Sequence, residues 1–212
     1  MSAEKLRSKA ASHIGVAEAH TEAGRYGPAL SENISAARVV RRLLKTEPDS
    51  RRHRAVLGSL YYNRALLLER VGRGPDAITA GRWSVAFYEF LDPTLRGERS
   101  VADAVRDAPP VSGAAEPIDA AQLIAHLADA QARLARLLGT YGLRDRRRDR
   151  ELRRFNRDPE LTLRHEINVL DSQACLTYKA LIGCSSYTEA DFQRVLRQSG
   201  EGLTKYHARF PD

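Results

Sequence analysis

The amino-acid sequence predicts an all-α protein built from antiparallel helix hairpins. Strand signals are nearly absent, because no segment sustains an alternation of apolar and polar residues. The β-branched residues are scattered among Ala, Leu, Arg and Glu, which favour helices. Apolar residues instead recur at helical spacing, as in "RRHRAVLGSLYYNRALLLERV". Two such stretches are interrupted by a similar group of Gly, Arg and Pro, and the helical pattern then resumes.

The interruption in "LLLERVGRGPDAITAGRWSVAFYEF" indicates a tight turn between two helices. Gly72 suits the left-handed residue that follows the end of a helix. Pro75 suits the first turn of the next helix, where its missing N–H costs nothing. An end and a start this close together predict an αα-hairpin, with helices over 51–71 and 75–91.

The same construction occurs earlier, in "VAEAHTEAGRYGPALSENISAARVVRRLL". Here Gly24 takes the place of Gly72, and the Gly-Pro pair is one residue out of step. Because a frame repeated at fixed spacing is typical of a structural repeat, helices over 10–23 and 28–45 are expected. The pairs that lie 48 residues apart are Ala17 and Ala65, Gly24 and Gly72, and Ala29 and Ala77.

These residues resemble the tetratricopeptide repeat. In that family a small residue at position 8, a Gly near position 15 and an Ala at position 20 allow two helices to cross closely. Residues 10–43 and 58–91 match this pattern, and position 27 is also small in both copies. They depart from it in their 48-residue spacing and in Asn33 and Gly81, which stand where the family often has an aromatic residue. The resemblance implies a divergent TPR-like α-solenoid of stacked hairpins.

The resemblance also implies a function. First helices of successive repeats line a concave groove, and such grooves bind peptide or protein segments. The Lys and Asn residues of the family's carboxylate clamp are missing from this groove, so capture of a chaperone tail is not expected. The leading hypothesis is a non-enzymatic protein–protein interaction module or scaffold without a cofactor. Its groove positions would be Ala11, Ile14, Glu18, Thr21, Ser59, Tyr62, Leu66 and Glu69.

The composition along the chain predicts three regions. These are two TPR-like hairpins over 1–93, a Pro/Ala/Gly-rich connection over 94–118, and a less regular C-terminal helical segment over 119–212 that packs on the repeats. Within the connection, one or two helical turns are expected around 98–106. The last region should contain an amphipathic helix ending at Gly142 and another helix after Pro159. A capping box formed by Thr188 and Asp191 predicts the start of a final helix.

An Arg-rich segment over 144–158 supports an alternative function. It holds eight Arg and four acidic residues. As a helix over 144–157, it would partly neutralise itself through i,i+3 and i,i+4 pairs, as a solvated helix does. It could also bind phosphates, which supports a nucleic-acid-associated protein as the alternative. This function ranks second, because only Phe155 is available for base stacking. The basic patch would consist of Arg146, Arg150, Arg153, Arg154 and Arg157.

The overall charge and the cysteines restrict the setting. The chain has a net charge of +7, with 29 Arg and five Lys, an excess that either anion recognition or GC-rich coding would explain. Cys175 and Cys184 have no neighbouring Cys or His and are expected to be small thiols in a reducing compartment. With no apolar leader or membrane-spanning run, the expected location is the cytoplasm, without membrane contact.

No catalytic or metal-binding residue is predicted. The six His are spread over the chain without an HExxH or Glu-x-x-His pair, and "GRGPD" lacks the spacing and Lys of a P-loop. The single Trp, Trp83, is expected to be buried between repeats. An all-α enzyme with a pocket between the repeats and the C-terminal helices stays open as a third hypothesis.

Overall fold

The computed structural model describes residues 2–91, 120–142, 159–182 and 188–209. These ranges contain seven α-helices and no strand, so the all-α prediction is confirmed for this part of the chain. The helices are α1 (Ala3–Glu22), α2 (Tyr26–Thr46), α3 (Arg51–Arg70), α4 (Gly74–Leu91), α5 (Ala120–Tyr141), α6 (Pro159–Ile182) and α7 (Glu189–Arg209). None of them has the length and apolar composition that a membrane crossing requires.

The chain forms two compact units, Met1–Leu91 and Asp92–Asp212, here called unit 1 and unit 2. In unit 1 each helix packs against the next along the chain, α1 on α2, α2 on α3 and α3 on α4. In unit 2 the helices α5, α6 and α7 all pack against one another. The connection over 94–118, the turns around 98–106 and the segment 144–158 lie outside the described residues.

Both predicted hairpin turns are confirmed, and they have the same geometry. Gly24 and Gly72 adopt φ angles of 70° and 76°, the left-handed region that favours glycine. In each turn the residue after the glycine donates its N–H to a carbonyl in the last turn of the preceding helix, as in a Schellman motif. These bonds join Arg25 N to His20 O and Arg73 N to Leu68 O, each at 2.8 Å.

Helix α1 is longer than predicted. It begins at Ala3, whereas position 10 was expected. The Ser2 hydroxyl accepts a hydrogen bond from the N–H of Lys5 at 3.4 Å, so a serine N-cap supports this earlier start. Leu6 and Ala10, four residues apart on one face, are both buried. The extra turns therefore contribute to the core of unit 1.

Small residues allow the helices of unit 1 to approach closely. Ala65 and Ala77, the residues expected at a close crossing, are both fully buried. At Gly58 an added Cβ would come within 2.9 Å of the Tyr88 ring, so α3 and α4 touch there. The hydroxyl of Ser84 donates to Gly58 O at 2.9 Å, which ties the two helices together.

Unit 2 is built around α5. Its buried core joins five residues of α5 to Ala174, Tyr178 and Leu181 of α6, with Phe192 of α7 packed against them. The helix is amphipathic as predicted, but its polar side is a narrow stripe. That stripe comprises Gln122, His126, Asp129, Arg133, Arg136 and Thr140, and only Gln122 among them is fully exposed.

The starts of α6 and α7 follow their sequence signals. Pro159 is the first residue of α6. Proline has no N–H, and at this position an N–H would have no acceptor within the helix. Thr188 and Asp191 form the predicted capping box ahead of α7. The Thr188 N–H donates to Asp191 Oδ2 at 2.9 Å, and the Asp191 N–H donates to Thr188 Oγ1 at 3.4 Å. The Thr188 hydroxyl also donates to Asp191 Oδ2 at 2.9 Å, and the two bonds from Thr188 to this carboxylate lower its pKa.

Candidate functional site

A cleft of about 260 Å³ lies on unit 1 between α1 and α3. Each of these helices is the first helix of its hairpin, and α2 contributes one residue at the back of the cleft. The lining residues are Ile14, Ala17, Glu18, Thr21 and Glu22 of α1, Asn33 of α2, and Leu60, Asn63, Leu66 and Leu67 of α3.

The expected groove residues are divided by this geometry. Four of them line the cleft: Ile14, Glu18, Thr21 and Leu66. Ser59 lies beside α4, where its hydroxyl is 2.8 Å from that of Tyr88. Tyr62 and Glu69 are half-buried on α3 without lining the cleft, and Ala11 is exposed on α1.

Asn33 holds the back of the cleft in place. This buried side chain donates through Nδ2 to Leu60 O at 3.0 Å and accepts at Oδ1 from Arg64 Nε at 3.2 Å. A buried amide with both ends paired is stabilising, whereas removing one partner would leave a costly unsatisfied group. The resemblance had indicated Asn33 only as a departure from an aromatic position. The polar residue at this often aromatic position was the sequence signal that Asn33 forms hydrogen bonds inside unit 1.

The cleft is apolar at its floor and acidic at its rim. Ala17, Leu60 and Leu67 are buried at the floor, while Glu18 and Glu22 are exposed on successive turns of α1. The lining contains no Lys or Arg. Among the described residues, neither glutamate forms an ion pair. The cleft therefore suits an aliphatic group that has a positive charge next to it.

Trp83 corrects one sequence expectation. Burial between repeats was expected and is wrong, because 52% of the residue is exposed. The side chain lies on the outer side of α4, with its ring centroid 6.2 Å from that of Tyr61 and 6.0 Å from that of Phe87. Helical periodicity alone did not reveal that the indole on this side of α4 is exposed.

The residues of the predicted basic patch lie outside the described residues, as does Cys184. The patch residues are Arg146, Arg150, Arg153, Arg154 and Arg157. Cys175 is half-buried on α6.

Titratable side chains in the described ranges do not converge. No group of three or more His, Cys, Asp or Glu there could hold a metal ion. Individual histidines instead have neighbours of their own: His13 Nδ1 is 2.6 Å from Glu32 Oε2, and His53 Nδ1 is 3.5 Å from Glu47 Oε2. Burial lowers the pKa of His53, and the nearby Glu47 only partly opposes that shift.

Unit 2 contains buried carboxylic acids. Tyr178 donates its hydroxyl to Asp129 Oδ1 at 3.0 Å, and burial raises the pKa of Asp129. Asp171 is only 8% exposed, and neither of its carboxyl oxygens has a hydrogen-bond partner among the described residues. Burial raises the pKa of Asp171 to about 7. Desolvation of the charged form is the physical cause, and it makes Asp171 a pH-sensitive point of unit 2.

No protein-family model, curated protein or solved structure matches the chain. Its function is therefore inferred from the geometry and charges described above.

Proposed function

We propose that unit 1 is a pair of TPR-like hairpins whose α1–α3 cleft binds an extended peptide segment of a partner protein. The observation that carries this proposal is the cleft itself. It lies between the two first helices, and four of the groove positions implied by the repeat line it. The protein would act as a non-enzymatic interaction module.

The packing of unit 1 supports the repeat interpretation. Small residues are buried at matching positions of both hairpins, and each hairpin turns through a left-handed glycine. Two hairpins that share these features are expected to stack as solenoid repeats do, since each buries its apolar face against its neighbour. The matching buried residues are Ala17 and Ala65, Ala29 and Ala77, and Ala36 and Ser84.

The size of the cleft supports a peptide rather than a whole small molecule. Pockets that enclose drug-sized ligands usually measure about 300–1,000 Å³, and this cleft is smaller and open along the helices. One aliphatic side chain is therefore the natural occupant. Burying a Leu or Ile side chain there would contribute about 1.5–3 kcal/mol to binding.

The charge of the rim supports a basic residue beside that anchor. Glu18 and Glu22 are exposed and have no ion-pair partner among the described residues, so each is available to a Lys or Arg of a ligand. Exposed pairs of this kind contribute only about 0.2–1 kcal/mol each. The apolar anchor would thus supply most of the affinity, and the rim would supply the preference for basic over acidic peptides.

An array of labelled decapeptides would test the proposal through fluorescence anisotropy. Each peptide carries a central Leu or Gln flanked by Lys, Gln or Glu, and its affinity for the whole protein is measured at low and physiological salt. We expect the Lys-flanked Leu peptides to bind most tightly. Leu66→Ser should weaken them about tenfold or more, because the apolar anchor would then face a polar hydroxyl. The matched control is Val16→Ser, an exposed position on α1 that does not line the cleft.

The rim is tested separately by Glu18→Gln combined with Glu22→Gln. We expect a two- to tenfold loss for Lys-flanked peptides, largest at low salt, and little change for Gln-flanked peptides. Glu4→Gln is the control, since Glu4 is exposed in the first turn of the same helix. Equal affinity for Leu and Gln centres, or an unaffected Leu66→Ser protein, would refute the proposed site.

A further inference from the structure

Arginines and aromatic rings meet on a second surface of unit 1, here called the Arg–aromatic surface. It comprises Arg38 and Arg41 of α2, Tyr61 and Arg64 of α3, and Trp83 and Phe87 of α4. Tyr61 is at its centre, stacked on Phe87 with ring centroids 5.5 Å apart and planes inclined by 21°. None of these residues lines the α1–α3 cleft, and the two sites meet at the hydrogen bond from Arg64 to Asn33.

Two guanidinium groups pack around the Tyr61 ring. That of Arg64 lies 4.7 Å from the ring centroid and that of Arg41 lies 5.6 Å from it. Arg41 also donates a hydrogen bond to the Tyr61 hydroxyl. These contacts fix the direction of both guanidinium groups before any ligand arrives, which lowers the entropy cost of binding.

The positive charge of this surface is not neutralised by the described residues. No carboxylate among them lies within ion-pair distance of Arg38, Arg41 or Arg64. Partial burial lowers the pKa of Arg64, Tyr61 opposes this shift, and repulsion from Arg41 and Arg38 adds to it. Three neighbouring cations without a counter-charge repel one another, so an anion bound between them would be stabilised.

Trp83 gives the same surface an open aromatic face. With half of the residue exposed, and no cation stacked on its ring among the described residues, the indole is available to a flat partner. The Arg-rich segment 144–158 offers only Phe155 for such stacking. Here arginine side chains and the exposed indole of Trp83 are brought together by the packing of α2, α3 and α4.

We propose that the Arg–aromatic surface binds single-stranded nucleic acid, with a base stacked on Trp83 and the adjacent phosphates held by Arg38 and Arg41. Proteins that bind single strands combine positive charge along the backbone with aromatic rings under the bases. A duplex keeps its bases stacked inside and would leave the indole unused. An acidic peptide would neutralise the arginines but would not specifically require an open ring face.

Trp83 is the only tryptophan of the chain, so its fluorescence reports directly on this surface. The experiment titrates the full-length protein with the decanucleotides (dT)10 and (rU)10 at several salt concentrations and follows indole emission. The anisotropy of the labelled oligonucleotides gives the affinity independently. We expect quenching that saturates together with the anisotropy change, and an affinity that falls as salt rises.

Three variants assign the binding to individual groups. Trp83→Ala should weaken the anisotropy-measured affinity by about five- to a hundredfold, and Trp83→Phe should restore part of it, because a base can stack on either ring. Arg38→Gln with Arg41→Gln should lower the slope of log affinity against log salt by about 0.7 for each phosphate that is no longer neutralised. Arg25→Gln with Arg73→Gln is the charge-matched control, since both arginines are exposed at the hairpin turns.

A triple variant distinguishes nucleic-acid binding by the Arg-rich segment from binding by the Arg–aromatic surface. It changes Arg146, Arg150 and Arg153 to Gln together. We expect indole quenching to persist in that triple variant, because Trp83 reports only on its own surface. Absence of quenching in wild-type protein at low salt would overturn the proposal. So would equal quenching by a poly-Glu peptide or by a duplex of the same length, or full affinity in both the Trp83→Ala and the double Arg variants.

Discussion

Unit 1 and unit 2 both pack helices side by side, but the small residues at their helix contacts are arranged differently. In unit 1 they recur at matching positions of two hairpins, and α1 and α3 leave a cleft between them. In unit 2 the glycines Gly139 and Gly202 bring α5 and α7 into backbone contact. In unit 2 the described helices α5, α6 and α7 all pack against one another, and Asp171 is buried without a hydrogen-bond partner among the described residues. The repeated hairpins of unit 1 leave a surface cleft, whereas the mutual packing of these three helices buries a carboxyl group.

The largest effect should come from the backbone contact of unit 2. A Cβ at Gly139 would lie 2.1 Å from Gly202 O, so Gly139→Ala forces α5 and α7 apart. We expect a loss of about 3 kcal/mol or more in the free energy of unfolding, at the upper end for overpacking, measured by urea denaturation. Gly15→Ala is the control, because nothing lies within 4 Å of its added Cβ and alanine favours the helix. Equal stability of the two variants would contradict the close contact.

A smaller loss is expected for the corresponding contact in unit 1. Ala77 is fully buried at the packing of α3 and α4, and Ala77→Leu should cost about 1–3 kcal/mol through overpacking. The same change at Ala86, which is exposed on α4, should leave the melting temperature nearly unchanged. If both variants have the melting temperature of the wild-type protein, the small residues of unit 1 do not mark a tight helix crossing.

The sequence predicted the features that depend on neighbouring residues better than those that depend on packing between distant helices. The hairpin turns were predictable because the left-handed conformation at Gly24 and Gly72 and the tolerance for proline are local properties. The same is true of the Thr188 cap. The exposure of Trp83 was not predictable, because it depends on which helices pack over α4. By contrast, the early start of α1 was predictable, because its Ser2 cap lies 48 residues before the Ser50 cap of α3, at the spacing of the repeat.

The candidate site was only partly predictable for a related reason. The repeat frame indicated which face of α1 and α3 lines a groove, and Ile14 and Leu66 do line the cleft. It gave no sign that Ser59 would turn toward Tyr88. The Arg–aromatic surface combines residues of three helices, and no two of these residues are neighbours in the sequence. No spacing within one segment could have indicated it.

The buried acid of unit 2 should make the stability of this unit depend on pH. With a folded pKa of about 7 and an unfolded value near 3.9, Asp171 keeps its proton in the folded state over a range where the unfolded chain has lost it. The folded state then binds more protons, so the free energy of unfolding falls as pH rises from about 4 to 7. Asp171→Asn should remove this dependence and raise the melting temperature at pH 8.

Asp191 is the matched control for that pH profile. Its pKa is lowered in the folded state by hydrogen bonds from Thr188, so its stabilisation is present at neutral pH and is lost as pH falls through its folded pKa. Asp191→Asn should therefore lower the free energy of unfolding at neutral pH and remove a pH dependence that lies in the acid range, where stability rises with pH. Identical profiles for wild type and Asp171→Asn between pH 5 and 8 would contradict a buried, unpaired Asp171.

The contrast between unit 1 and unit 2 rests on the α1–α3 cleft, and methyl NMR of the full-length protein tests peptide binding there most directly. A decapeptide with one central Leu flanked by Lys is added to protein labelled at Ile and Leu methyl groups. We expect saturable shifts at Ile14 and Leu66, which line the cleft, and none at Leu176, which is exposed on α6. Unchanged Ile14 and Leu66 signals, or shifts of equal size at Leu176, would contradict peptide binding in the α1–α3 cleft.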